Sequence, residues 1–204
     1  MTLSLEMKHL DRMSDEELAL CYINGSNRAF DCLLDRNQQK LFAYIVFMVH
    51  DHEVANDIFQ ETFFKVISKL QQRKYSPSGK FGAWLMRIAH NAIMDWYREQ
   101  RQQGLVDASN ENDLSNVGGY DLVESNREKD FINTQVLADV KRIMNQLPAP
   151  QREVVYMRFY QQMSFKEIAE TTGVSINTSL GRMRYAILNM RRIAKEHHIM
   201  LELA

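Results

Sequence analysis

A chain of 204 residues with 45% hydrophobic content is long enough for one large or two small domains, each burying a core of its own. A formal net charge of -1 excludes a uniformly basic coat, but the charge is unevenly placed. Seven acids stand against Arg127 and Lys129 between Asp107 and Asp130, whereas six bases stand against Glu167 and Glu170 between Lys166 and Lys195.

Cys21 and Cys32 lie eleven apart with no clustered histidine, so they read as reduced thiols rather than zinc ligands. No segment approaches the roughly 20 apolar residues of a membrane span, and the expectation is a cytoplasmic protein without direct membrane insertion.

Ser14 with Glu17 three residues on forms a capping box that opens a short helix carrying Leu18, Cys21 and Tyr22. Asn24-Gly25-Ser26-Asn27 breaks it. A longer helix follows, with Phe30, Leu33, Leu34, Leu41, Phe42, Ile45, Val46 and Val49 on its apolar side. After the Asp51-His52 turn, a third helix faces Val54, Ile58, Phe63, Val66, Ile67 and Leu70 inward. Asp57, Gln60, Glu61 and Lys65 lie on its other side, a pattern that a merely solvated face also produces.

Pro77 and Gly79 then force a loop. It carries Arg73, Lys74 and Lys80 beside Tyr75 and Phe81, a mixture suited to single-stranded nucleic acid because bases stack on rings while cations meet phosphates. The next helix buries Trp84, Leu85, Ile88, Ala89, Ala92, Ile93 and Trp96, while Arg87, Asn91, Asp95 and Arg98 form a hydrogen-bonding stripe. From Gly104 to about Asp130 the chain is rich in Asn, Ser, Asp and Gly and reads as a flexible acidic linker. Helix resumes at Phe131, with Ile132, Val136, Val140, Ile143, Met144 and Leu147 as its stripe, until Pro148 and Pro150 stop it and open another.

The stretch Ser164 to Arg192 holds two helical patterns around a tight corner. Phe165, Ile168, Ala169 and Thr172 share one face, Gly173 supplies the left-handed residue that ends the first helix, and Ser175 caps the second. Ala169 lets the helices cross closely, as a helix-turn-helix requires. The second helix carries Arg182, Arg184, Arg191, Arg192 and Lys195 with no acid before Glu196, which suits a face near phosphate. The predicted fold is all-α: two small helical domains, 1–103 and 131–204, joined by the linker 104–130.

Four stretches resemble the sigma factors of the extracytoplasmic-function type, the promoter-specificity subunits of bacterial RNA polymerase. DIFQETFFKV is similar to the family's core-polymerase-binding helix in Asp57, Gln60, Glu61 and Phe63. FGAWLMRIAHNAIMDWYR resembles the helix that melts and reads the −10 element, in Phe81, Trp84, Leu85, Ile88, Ala89, Asn91, Asp95 and Arg98. LPAPQREVVYMRF resembles the opening of the second module, in Leu147, Pro148, Arg152, Val155 and Arg158, and SFKEIAETTGVSINTSLGRMRYA its −35-reading helix-turn-helix.

The resemblance implies three contact sets and three partners. Polymerase contact falls to Asp57, Gln60, Glu61 and Phe63. The −10 element falls to Lys74, Tyr75, Lys80, Phe81, Arg87, Asn91, Asp95 and Arg98. The −35 element falls to Ser175, Asn177, Thr178, Arg182, Arg184 and Tyr185. The partners are core RNA polymerase, promoter DNA and an anti-sigma factor. No glycine-rich phosphate loop, paired nucleophile or metal cluster is seen, so neither catalysis, cofactor nor metal is expected. The alternative is a helix-turn-helix regulator acting alone.

The chain departs from the family at Ser179, Leu180 and Gly181, where members usually carry a branched apolar residue, a basic one and Ser. The departure leaves two registers for the buried face of this helix: one through Ile176, Leu180 and Ile187, the other through Ser179 and Ala186, with Met183 and Met190 common to both.

Overall fold

A computed structural model describes residues 10–102 and 140–197, and every regular element among them is helical. The linker expected over 104–130, and Phe131, Ile132 and Val136 of the helix expected after it, lie outside the described residues. The chain divides into two compact units, Met1–Gln103 and Gly104–Ala204.

The first unit contains α1 (Asp15–Ile23), α2 (Asn27–Val49), α3 (His52–Gln71) and α4 (Phe81–Gln102). The expected capping box opens α1: Ser14 Oγ accepts from the Glu17 backbone N–H, and the Ser14 N–H donates to Glu17 Oε2 at 2.7 Å. Arg36 of α2 then fastens this end by donating to the carbonyls of Met13 (2.6 Å), Asp11 (2.8 Å) and Leu10 (3.2 Å) and to Asp15 Oδ1 at 3.2 Å.

α2 is the central post, packed on α1, α3 and α4. Its last turns are buried all round, from Tyr44 through Val49, where the apolar stripe read from periodicity marked only Ile45, Val46 and Val49. Burying a large aliphatic or aromatic side chain contributes about 1.5–3 kcal/mol, so this half of α2 anchors the unit. His50, in the left-handed conformation (φ 58), ends α2, and Asp51 caps α3 by accepting from the N–H groups of Glu53 (2.8 Å) and Val54 (3.0 Å). The chain thus reverses in two residues, laying α3 beside α2. α4 closes the bundle, its Tyr97 hydroxyl donating to the Met48 carbonyl at 2.6 Å.

The second unit contains α5 (described over 140–145), α6 (Ala149–Phe159), α7 (Phe165–Thr172) and α8 (Ile176–Glu196). Pro148 precedes α6 and Pro150 lies in its first turn, where a missing N–H costs no helical bond. A second capping box, Ser164 with Glu167, opens α7. Gly173 ends it at φ 68, and Ser175 Oγ accepts from the Thr178 N–H at 3.0 Å to start α8. The buried threonine of α7 is Thr171; Thr172 is only half-buried and donates its hydroxyl to the Ile168 carbonyl at 2.8 Å.

α8 packs against α6 and α7, and these neighbours settle its register. Ser179, Met183, Ala186, Ile193 and Ala194 are buried, whereas Ile176, Leu180 and Ile187 are exposed. The small residues Ser179 and Ala186 allow the close approach that the larger set would prevent.

Candidate nucleic-acid interface

On α3 the period of 3.6 residues puts Asp57, Gln60 and Glu61 on one exposed stripe. Phe63 does not share it. Its ring is half-buried, 4.8 Å from Phe59 and 6.3 Å edge-on to Phe30, so its first role is packing. The aromatic residue on the stripe is Phe64, 74% exposed and one turn beyond Gln60. Sequence reading missed it, although its spacing of four from Gln60 and seven from Asp57 was a usable signal.

Beside this stripe a row of charges crosses from α3 to α4. Lys65 Nζ lies 2.6 Å from Glu61 and 3.9 Å from Asp95, and Asp95 accepts from Arg98 Nη1 at 2.7 Å. All four side chains are partly exposed, so each pair adds at most about 1 kcal/mol. The row places Glu61, an expected polymerase contact, next to Asp95 and Arg98, expected −10 contacts. On the same face of α4, Arg87 and Asn91 are exposed, and Lys74 and Lys80 are exposed on the preceding loop.

The expectation for Tyr75 and Phe81 is corrected. Both rings are buried, 5.8 Å apart, with Trp84 at 4.7 Å from Tyr75 and 5.5 Å from Phe81. The Tyr75 hydroxyl donates to Glu16 Oε2 on α1, and burial together with this carboxylate raises its pKa well above the usual phenol value. The loop is pinned by the buried rings of Tyr75 and Phe81 against the half-buried Trp84, and neither Tyr75 nor Phe81 has a free face. The rings stabilise the loop; they do not stack on bases in this conformation.

In the second unit the exposed side of α8 carries Asn177, Arg184 and Tyr185, the last 62% exposed. Arg182 and Arg184 point about 200° apart. Arg182 is half-buried near the packed side, whereas Arg184 stands among the exposed residues. The hydroxyls of Ser175 and Thr178 hydrogen-bond one another at 2.8 Å, and Ser175 also caps the helix, so the expected contact by these two hydroxyls competes with the cap. On the neighbouring helix, Arg158 lies 5.4 Å over the Phe165 ring and donates to the Met163 carbonyl at 2.9 Å, while Arg152 is wholly buried. Both arginines of the second-module match therefore hold the fold.

A bundle with an acidic and aromatic stripe on one helix and a hydrogen-bonding stripe on the next, in a chain that also carries a basic helix-turn-helix, matches known proteins along both units. Residues 33–103 match Sigma-70 region 2, and residues 137–179 match Sigma-70, region 4. The chain belongs to the RNA polymerase sigma factors, in their extracytoplasmic-function group. As such it directs promoter recognition by RNA polymerase.

It is 32% identical to the RNA polymerase sigma factor CnrH of Cupriavidus metallidurans over 172 residues, 83% of this chain and 88% of that one. It is 27% identical to the RNA polymerase sigma factor YlaC of Bacillus subtilis over 165 residues, 79% and 91% of the two chains. Among solved structures it is similar to CnrH in complex with the cytosolic domain of CnrY, with TM-score 0.61, 25% identity, and 89% of this chain and 97% of that one covered. The fold is also that of the sigma factor RpoE in complex with the anti-sigma factor NepR from Bartonella quintana, with TM-score 0.63, 22% identity, and 81% and 96% covered.

Among the described residues, no helix is long and apolar enough to cross a membrane.

Proposed function

We propose that residues 1–103 dock on core polymerase through Asp57, Gln60, Glu61 and Phe64 of α3 and engage the −10 element through Lys74, Lys80, Arg87, Asn91, Asp95 and Arg98. Residues 131–204 hold the −35 duplex through α8, with Asn177, Arg184 and Tyr185 as polar readers and Arg182 toward the backbone. The observation that carries this division is that two adjacent helices of one bundle present different exposed stripes. The stripe of α3 is acidic and aromatic, which suits a protein partner; the stripe of α4 with its preceding loop is mainly cationic and amide, which suits melted DNA.

The chain does no chemistry of its own in this reading, since RNA synthesis belongs to the polymerase, and it works in the cytoplasm where its template lies. An anti-sigma factor is a further partner; the solved complex of the related CnrH with the cytosolic domain of CnrY supports this.

The test replaces Asp57 and Glu61 with Arg, and separately Phe64 with Ala, and measures co-purification with core polymerase. All three residues are exposed and the Glu61–Lys65 pair contributes at most about 1 kcal/mol, so both variants keep their helical spectrum. Both are expected to lose the polymerase. Retention of polymerase by both folded variants would reduce the stripe to a solvated surface.

A further inference from the structure

The first two turns of α8, the part of a recognition helix that meets base edges, carry few hydrogen-bonding side chains. Ser175 and Thr178 are occupied with each other and with the cap, and Ser179 is buried, which leaves Asn177 and, near the packed side, the half-buried Arg182. The remaining positions that are not buried are Ile176, Leu180 and the half-buried Gly181, with Leu180 44% exposed and Ile176 46% exposed. Helical spacing places Leu180 between Asn177 and Arg184 on the side turned away from α6 and α7. An exposed leucine beside Asn177 and Arg184 on a reading face can tell bases apart in one way: thymine alone presents an apolar group, its C5-methyl, in the major groove.

Gly181 adds an independent observation. A Cβ built there meets nothing within 4 Å, so no neighbour among the described residues requires glycine. Its backbone is helical, so no turn requires it either, and a glycine inside a helix destabilises by roughly 1 kcal/mol relative to alanine. A position that forgoes this stability without a reason inside the fold is explained by close approach of something outside it.

The charges indicate what approaches. Arg184, Arg191 and Lys195 lie on the same side of α8 as Leu180, and the first acid of the helix, Glu196, is held by Arg192 at 2.7 Å. An apolar strip edged by cations that pair with no acid among the described residues fits a polyanion better than an apolar peptide.

We propose that Leu180 is a specificity-determining residue that reads a thymine methyl in the −35 element, and that Gly181 lets α8 seat deeply enough for that contact. The inference rests on the proposed −35 role of α8 and deepens it.

The experiment uses the full chain assembled with core polymerase and a duplex library randomised over both promoter elements. In the enriched −35 sequences, each thymine is replaced in turn by deoxyuridine, which removes the methyl and nothing else. At one or two positions deoxyuridine is expected to weaken binding roughly fourfold, the effect of one buried methyl-sized group. Leu180→Ala is expected to abolish the thymine-to-deoxyuridine difference there, and Gly181→Ala to weaken promoter binding although it favours the helix. Equal binding to thymine and deoxyuridine at every enriched position overturns the proposal, as does a Leu180→Ala variant that keeps the difference. Loss of a protein partner by Leu180→Ala with promoter selection intact overturns it too, and assigns the strip to that partner. A holoenzyme that enriches a −10 element but no −35 sequence removes the underlying role of α8, an outcome distinct from thymine indifference.

Discussion

Replacing Ser179 with Ala tests which face of α8 is buried, and the structure sets the size and sign of the effect. Ser179 is wholly buried and its Oγ has no hydrogen-bond partner. An unsatisfied buried hydroxyl is destabilising by about 1–3 kcal/mol, and alanine is the better helix former by roughly 0.5 kcal/mol. Against this stand the dispersion contacts of one oxygen atom, a few tenths of a kcal/mol. The variant should therefore be more stable by about 1–3 kcal/mol, raising the melting temperature of a domain this size by at least about 4 °C. Leu180→Ala is the companion. At 44% exposure the side chain gains roughly half the stabilisation of a buried leucine, so the loss should be about 1 kcal/mol. With Leu180 in the core instead, the loss would be about 2–5 kcal/mol and Ser179→Ala would be neutral.

The two units can be followed separately in the intact chain, because both tryptophans, Trp84 and Trp96, lie in Met1–Gln103. Tryptophan fluorescence reports that unit, and the part of the far-ultraviolet circular dichroism transition that fluorescence does not share reports the other. A lower melting transition for Ser179→Ala, or a loss above about 2 kcal/mol for Leu180→Ala, would refute the assigned register.

Two further predictions concern buried tyrosines. Tyr75→Phe removes the hydroxyl held by Glu16 and should destabilise the first unit by about 1–3 kcal/mol, read by tryptophan fluorescence in urea, while open-complex formation by the folded variant persists. Loss of promoter melting in that folded variant would return Tyr75 to the DNA-contact set. In the second unit, burial pushes the Tyr156 phenol from 10.0 up to about 12, with the stacked Tyr160 ring 5.0 Å away. The folded state favours the neutral phenol, so this contribution is complete below pH 10 and is lost as pH rises toward 12. The circular dichroism transition of the second unit should weaken in that window, and Tyr156→Phe should flatten the slope; identical slopes would rule the linkage out.

How much of this molecule could be read from its residues divides along a physical line. The helices, both ends of α1, the corner between α7 and α8 and the Asp57–Gln60–Glu61 stripe were legible, because each depends on groups within a few residues. Ser14 and Ser175 reach N–H groups three positions on, Gly173 needs only its own backbone freedom, and a stripe is a consequence of helical period. The capping box of Ser164 with Glu167 carries the same local signal.

Tertiary packing decided the rest. The apolar content of α8 fits two faces equally well, and only the proximity of α6 and α7, which admits Ser179 and Ala186 but excludes Leu180 and Ile187, selects one. Tyr75 sits in a loop with no period to place it, and its fate depends on Glu16, 59 positions away. Phe63 and Phe64 are adjacent and chemically identical; the rings of Phe30 and Phe59 draw the first inward, and the second is left at the surface. Local chemistry determines which elements form, whereas the side of each element that remains for function is set by what the distant chain covers.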